Sequence, residues 1–187
     1  MKKYPKVSVE LILQDRMVDI IADGVDLAIR AGELKDSTLI AKKIGNTAFA
    51  LYATASYLKA EGKLQHPKDL RDHCCLQFAN LGREKWELIN KSKQKVSVPL
   101  PGKIIADDLN IIKELCLAGK GIALLPAFMC SPDEKKNKVV RVLPEWRSEM
   151  APLNFVYPAQ KFTNPKLQNF ISMASEVFKA RLKDSEN

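Results

Sequence analysis

The apolar residues of this chain switch repeatedly between a period of two and a period of about 3.6, the mark of alternating strands and helices. Val7, Val9, Leu11 and Leu13 alternate with their neighbours and predict a strand over Val7–Leu13. Met17, Ile20 and Ile21 then take helical spacing within Arg16–Asp23, and Gly24 suits the left-handed position that closes a helix. Val25–Ile29 is a short apolar run that predicts another strand. Strand, helix and strand within about 30 residues form a βαβ unit, which calls for parallel pairing through a right-handed crossover.

Beyond this unit the runs are shorter. Extended segments are expected at Leu39–Ile44, Phe49–Ala53, Cys74–Phe78, Trp86–Ile89, Lys95–Val98 and Lys103–Ala106, and later at Ile122–Leu125, Val139–Val142 and Leu153–Tyr157. Ser56–Glu61 reads as a short helix closed by Gly62, and Pro67 opens another over Lys68–Asp72. Asp107 or Asp108 caps a helix running to Ala118, with Leu109, Ile112, Leu115 and Cys116 as its buried stripe. A helix begins near Ala127, and Asn164 with Pro165 opens a long final one.

The chain has 187 residues, 46% hydrophobic and 28% charged, which suits one globular domain or two small lobes and argues against disorder. No apolar run approaches the roughly 18 residues of a membrane helix. The basic start Met1–Pro5 leads into alternation rather than a continuous apolar run, so a secretory signal is not expected and the cytosol is the expected compartment. Cys74, Cys75, Cys116 and Cys130 form no Cys-x-x-Cys pair, and no histidine stands at zinc-ligand spacing; they read as small buried hydrophobes in a reducing compartment. The net charge of +8 permits attraction to nucleic acid, but the lysines are scattered and the densest cluster, Asp133–Lys138, also carries acids, which favours a solvated surface. His66 and His73 are the only histidines; His73 beside Cys74 would face away from it on a strand, and Gly-x-Ser-x-Gly and Walker-type loops are absent, so no enzyme is indicated.

Several segments, in order, resemble the effector-binding domain of LysR-type transcriptional regulators. They include Tyr4–Val7, Val18–Ile21 with Gly24, Asp26–Arg30, Gly32–Leu34, Asp36–Ala41, His66–Leu70, Ala118–Pro126 and Arg141–Trp146. The resemblance extends from Tyr4 to about Phe178. It implies an α/β, two-lobed fold of the periplasmic-binding-protein-like (type 2) kind, with two crossover hinge strands, 49–54 and 153–157. Lobe one would comprise 1–48 and 158–187, and lobe two 49–157. It also implies a small-molecule effector, a homo-oligomer, no membrane association, and DNA contact only through an N-terminal winged helix-turn-helix outside this chain. The opening Met1–Lys6 reads as the last turn of a helix before a proline stop, so the effector domain's first strand and most of its first helix are expected to be missing. A free-standing solute-binding protein and an inactive truncated regulator are the alternatives.

Ligands of open α/β sheets sit beyond the carboxyl ends of the strands, here between the lobes. Arg30 ends a strand and offers a bidentate grip on a carboxylate, with an aromatic as the other effector class considered. Asp107 and Asp108 precede a helix, Gly121 and Ile122 enter a strand where glycine allows close approach, and Phe78 and Asn80 end a strand. Thr47 and Tyr157 lie near the hinges. No catalytic residue, metal ligand or cofactor is expected.

Overall fold

The computed structural model describes residues 4–5, 7–14, 19–33, 38–100, 102–159 and 164–185. Two sheets share the chain. The large one has seven strands: β3 (Phe49–Ala53), β4 (Cys75–Phe78), β5 (Lys85–Asn90), β6 (Lys95–Pro99), β7 (Ile104–Ala106), β8 (Ile122–Pro126) and β9 (Val140–Arg147). Their order is β6-β5-β9-β3-β8-β4-β7. The small sheet has three strands, with β10 (Ala151–Pro158) central between β1 (Ala28–Ala31) and β2 (Leu39–Thr47).

The continuous apolar runs of β3 and β8 are explained by burial on both faces. Leu51, Ala53, Ile122 and Leu124 face one core, with Trp86, Leu88, Tyr57 and Leu70. Ala50, Tyr52, Ala123 and Leu125 face the other, with Ile112, Cys116 and Cys130. The first core is closed by β5, β6, helix α1 (Ala55–Glu61) and a 3-10 turn at Pro67–Asp72; the second by α2 (Leu109–Leu117) and α3 (Ala127–Glu134). Capping follows the residue chemistry. Thr54 accepts from the Tyr57 amide on α1, Asp108 from the Ile111 amide on α2, and Gly62 closes α1 at φ 96°. Of the two aspartates expected at α2, Asp108 is the cap.

The small sheet is covered by α4 (Pro165–Ser185), opened by Asn164, whose Oδ1 accepts from the Lys166 amide. Its core gathers Ile44, Leu153, Phe155, Tyr157, Ile171 and Leu182, with Phe178 set edge-on to Phe155 at 6.1 Å. Gly45 lets α4 approach, since a Cβ there would stand 2.8 Å from the Leu182 side chain.

The expected βαβ unit is the main correction. Residues 7–14 form no strand, and Leu11 and Leu13 are 76% and 82% exposed. The predicted helix Arg16–Asp23 falls partly outside the described residues; its remainder is a turn started by Asp19, whose Oδ1 accepts from the Ile21 and Ala22 amides. Gly24 does close this turn in the left-handed region, at φ 64°. The strand expected at Val25–Ile29 is β1, displaced to Ala28–Ala31, and it pairs antiparallel with β10 rather than parallel with a neighbour in sequence. Parallel pairing occurs in the large sheet, where β4 lies between β7 and β8.

Gly121 occupies a position that admits no side chain: a Cβ there would lie 2.3 Å from the Cys74 carbonyl oxygen, which accepts from the Ile122 amide at 2.8 Å. Gly121→Ala is expected to cost about 2–3 kcal/mol in urea unfolding through forced separation of β8 from β4; a loss under about 0.5 kcal/mol would show that the two strands yield freely. Asp133 on α3 bridges Lys113 on α2 at 2.7 Å and Lys138 at 3.5 Å. The hydrogen bond from Lys113 and the charges of both lysines hold its carboxyl below the ordinary 3.8. A carboxyl lowered on folding contributes fully above its unfolded value and loses that contribution as pH falls through the folded one. The stability margin of the natural chain over Asp133→Asn should therefore be constant between about pH 7 and 5 and shrink below about pH 4, read by urea titration at each pH.

Candidate functional site: the edge where the sheets meet

The chain passes between the sheets twice, at Ala48 between β2 and β3, and at 148–150 between β9 and β10. The passages lie side by side. The Phe49 amide donates to Ser148 Oγ at 2.9 Å, the Ser148 amide donates to the Phe49 carbonyl at 2.9 Å, and Ser148 Oγ donates to the Glu149 carbonyl at 2.8 Å. Here the backbone has left one ladder without yet joining the next, so a hydroxyl supplies the missing partner.

Strand direction decides what gathers at this edge. Phe49 pairs with Pro126, which puts the carboxyl end of β8 at the passage. Parallel pairing of β4 with β8 and β7 brings Phe78 and Ala106 to the same side. Buried Phe78, exposed Asn80, exposed Asp107 and the capping Asp108 therefore stand along this edge of the large sheet. On the small-sheet side Thr47 is buried opposite Ala151, and Arg30 is half-buried opposite Asn154. Asn154 was not singled out in the sequence. Its Nδ2 donates to the Gly32 carbonyl at 3.2 Å, and the Gly32 amide donates to Pro152 at 2.8 Å, which fixes the turn leaving Arg30.

Three expected residues stand elsewhere. Gly121 and Ile122 are at the amino end of β8, opposite Cys74 and Cys75, on the far edge of the large sheet. Tyr157 pairs with Ile40 at the distal end of β10 and packs in the small-sheet core. Two open depressions also mark the far edge. One of about 490 Å³ is lined by Tyr57, Cys74, Lys103, Gly119 and Lys120, and one of about 520 Å³ by Thr54, Ser56, Glu114 and Lys138. Their charged walls are exposed lysines and carboxylates that water already solvates, so the passage edge remains the stronger candidate.

The histidines have structural partners. His66 Nδ1 accepts from the Lys68 amide, and His73 Nδ1 lies 3.3 Å from the Tyr57 hydroxyl, which accepts from the Cys74 amide. All four cysteines are free thiols, three of them buried. Among the described residues no metal-binding cluster of His, Cys, Asp or Glu is present, and no helix is long and apolar enough to cross a membrane.

Two linked α/β sheets joined by a double passage define the class, and comparison with known proteins gives the family. The LysR substrate binding domain model matches residues 1–179, and the chain belongs to that family. An HTH-type transcriptional repressor of Pseudomonas aeruginosa (strain UCBPP-PA14) is 30% identical over 94% of this chain and 56% of its own length. The regulatory domain of CrgA, a LysR-type regulator from Neisseria meningitidis, superposes with a TM-score of 0.83 at 29% identity, covering 94% of this chain and 86% of that one. The full-length Vibrio cholerae virulence activator AphB gives 0.81 at 29% identity, covering 95% and 60%. The fold is thus the two-lobed, periplasmic-binding-protein-like fold of these regulatory domains, and the family is one of transcriptional regulators rather than enzymes. The chain spans little more than half the length of the curated relatives it matches.

Burial pushes the thiols of Cys75, Cys116 and Cys130 up to about 12, from an ordinary 9.0. Their thiolate fraction at pH 8 is then about a thousandfold below that of a free cysteine. Iodoacetamide should label half-exposed Cys74 in the native chain and the other three only after unfolding, as read by peptide mass spectrometry. Native labelling of the buried three at a comparable rate would contradict their placement.

Proposed function

We propose that the groove between the lobes binds a small-molecule effector on behalf of a longer LysR-type regulator, with the lobes dividing at Ala48 and at 148–150. The observation that carries this reading is that β4, β7 and β8 end along the edge of the large sheet that holds the double passage, while Thr47 and Arg30 stand where the small sheet adjoins it. Arg30 would grip a carboxylate, Thr47 and Asn80 would supply hydrogen bonds, and Phe78 would give apolar contact. A ligand touching both lobes favours the more closed arrangement by its difference in affinity for the two states. In the longer protein that shift would bias a homo-oligomer and, through it, the spacing of its helix-turn-helix heads. The compartment proposed is the bacterial cytosol, and direct DNA contact by these 187 residues is not part of the reading.

A thermal-shift screen of small carboxylates and aromatics tests the proposal. At least one class should raise the melting temperature by several degrees at ligand well above Kd, about 2.7 kcal/mol at a hundredfold excess. Arg30→Ala should weaken a carboxylate ligand about tenfold to a hundredfold by calorimetry, and Asn80→Ala less. Stabilisation that survives both substitutions unchanged would move the site away from this groove.

A further inference from the structure

One aromatic belongs by sequence to one lobe and by packing to the other. Phe128 is the second residue of α3, a helix that lies on the large sheet against β8 and is tied to α2 through Asp133 and Lys113. Yet its side chain packs against the small-lobe core of Ile44, Leu153, Phe155, Tyr157, Ile171 and Leu182, and α3 touches α4. The residue before it, Ala127, donates its amide to the Ala48 carbonyl at 3.2 Å, which roots the start of α3 on the first passage. Pro126 fixes the end of β8 immediately upstream. The start of α3 is therefore held by backbone at the passage and by an aromatic plug in the small lobe, while an ion pair near its end ties it to α2.

We propose that Phe128 is an interlobe pin: the small lobe completes its core with a side chain borrowed from the large lobe, and the two lobes turn about that contact as well as about the two passages. The small lobe needs such help. Among the described residues its sheet has three strands, its β1 edge exposes Ile29, and Val9, Leu11, Ile12 and Leu13 leave their side chains in solvent. A core of that size depends strongly on each large side chain. The pin requires no effector and stands or falls separately from the ligand reading above.

Hydrogen exchange read by mass spectrometry on the 187-residue chain tests it, with Phe128→Ala and Phe128→Leu beside the natural sequence. In Phe128→Ala the amides of β2, β10 and α4 should exchange about tenfold faster or more, while β3, β4 and β8 stay within about threefold, and Phe128→Leu should recover most of the protection. Equal acceleration in both lobes, or none in the small one, overturns the pin. Should Phe128→Ala not fold, the natural chain supplies the answer through the urea dependence of exchange. Amides of α3 that open together with β10 and α4 support the pin, and amides of α3 that open only with β8 and α2 overturn it.

Discussion

Two stretches of backbone that must leave one sheet and enter another, without stranding their polar groups, set the terms for the rest of this molecule. An unpaired amide at a partly buried position costs about 1–3 kcal/mol, and a passage between sheets is where ladder pairing fails. The chain solves this by laying the passages against each other and inserting Ser148, whose hydroxyl accepts from Phe49 and donates to Glu149. The short polar side chain matters more than its burial. It replaces a strand partner while leaving the torsions of 148–150 outside any ladder, so the contact joins the lobes without making them one sheet.

That arrangement dictates the different characters of the two lobes. The large sheet keeps its central strands covered on both faces and carries two separate cores. Among the described residues the small sheet is antiparallel, with β10 between its two other strands and α4 as its cover. Its outer strand β2 presents exposed Lys42 and Lys43, charges that discourage another strand from adding there. The free energy of folding is therefore unevenly distributed, and the lobe with less apolar surface of its own relies on what crosses from its neighbour.

Most of the large lobe was legible in the sequence because its signals are local. Two-sided strands show as unbroken apolar runs at Phe49–Ala53 and Ile122–Pro126, and Gly62 and Asp108 do at helix ends what their chemistry favours. In the small lobe β2, β10 and α4 were legible as well, but its opening was misread because the pairing of β1 is not local. β1 finds its partner in β10, more than a hundred residues later, and no period within Val7–Ile29 reveals that. Alternation over Val7–Leu13 marks a segment able to form a strand, but a strand also needs a neighbour. At the edge that holds the passages, Phe78, Asn80 and Asp107 follow from strand direction. Gly121 was read as a place where a ligand approaches the backbone, and the group that approaches it here is the Cys74 carbonyl, at the other edge. Phe128 had no local signal, since an aromatic early in a helix reads as core of its own lobe.

The location of that aromatic constrains how any lobe motion could proceed. Withdrawing a large apolar side chain fully into water costs about 1.5–3 kcal/mol, so a half-buried one costs a fraction of that. Inverting a two-state equilibrium from 1:99 to 99:1 already demands about 5.5 kcal/mol of differential ligand affinity. A closure that unseated Phe128 would add its cost to that requirement, whereas rotation about an axis through its socket would not. The passages at Ala48 and 148–150 and the root of α3 at Ala127 are joined by the hydrogen bonds that run from Ala48–Phe49 to Ala127 and Ser148, so such an axis needs no bond to break. With Phe128 as the proposed pin, a twist of one lobe about the other that keeps it seated costs less than a separation that withdraws it.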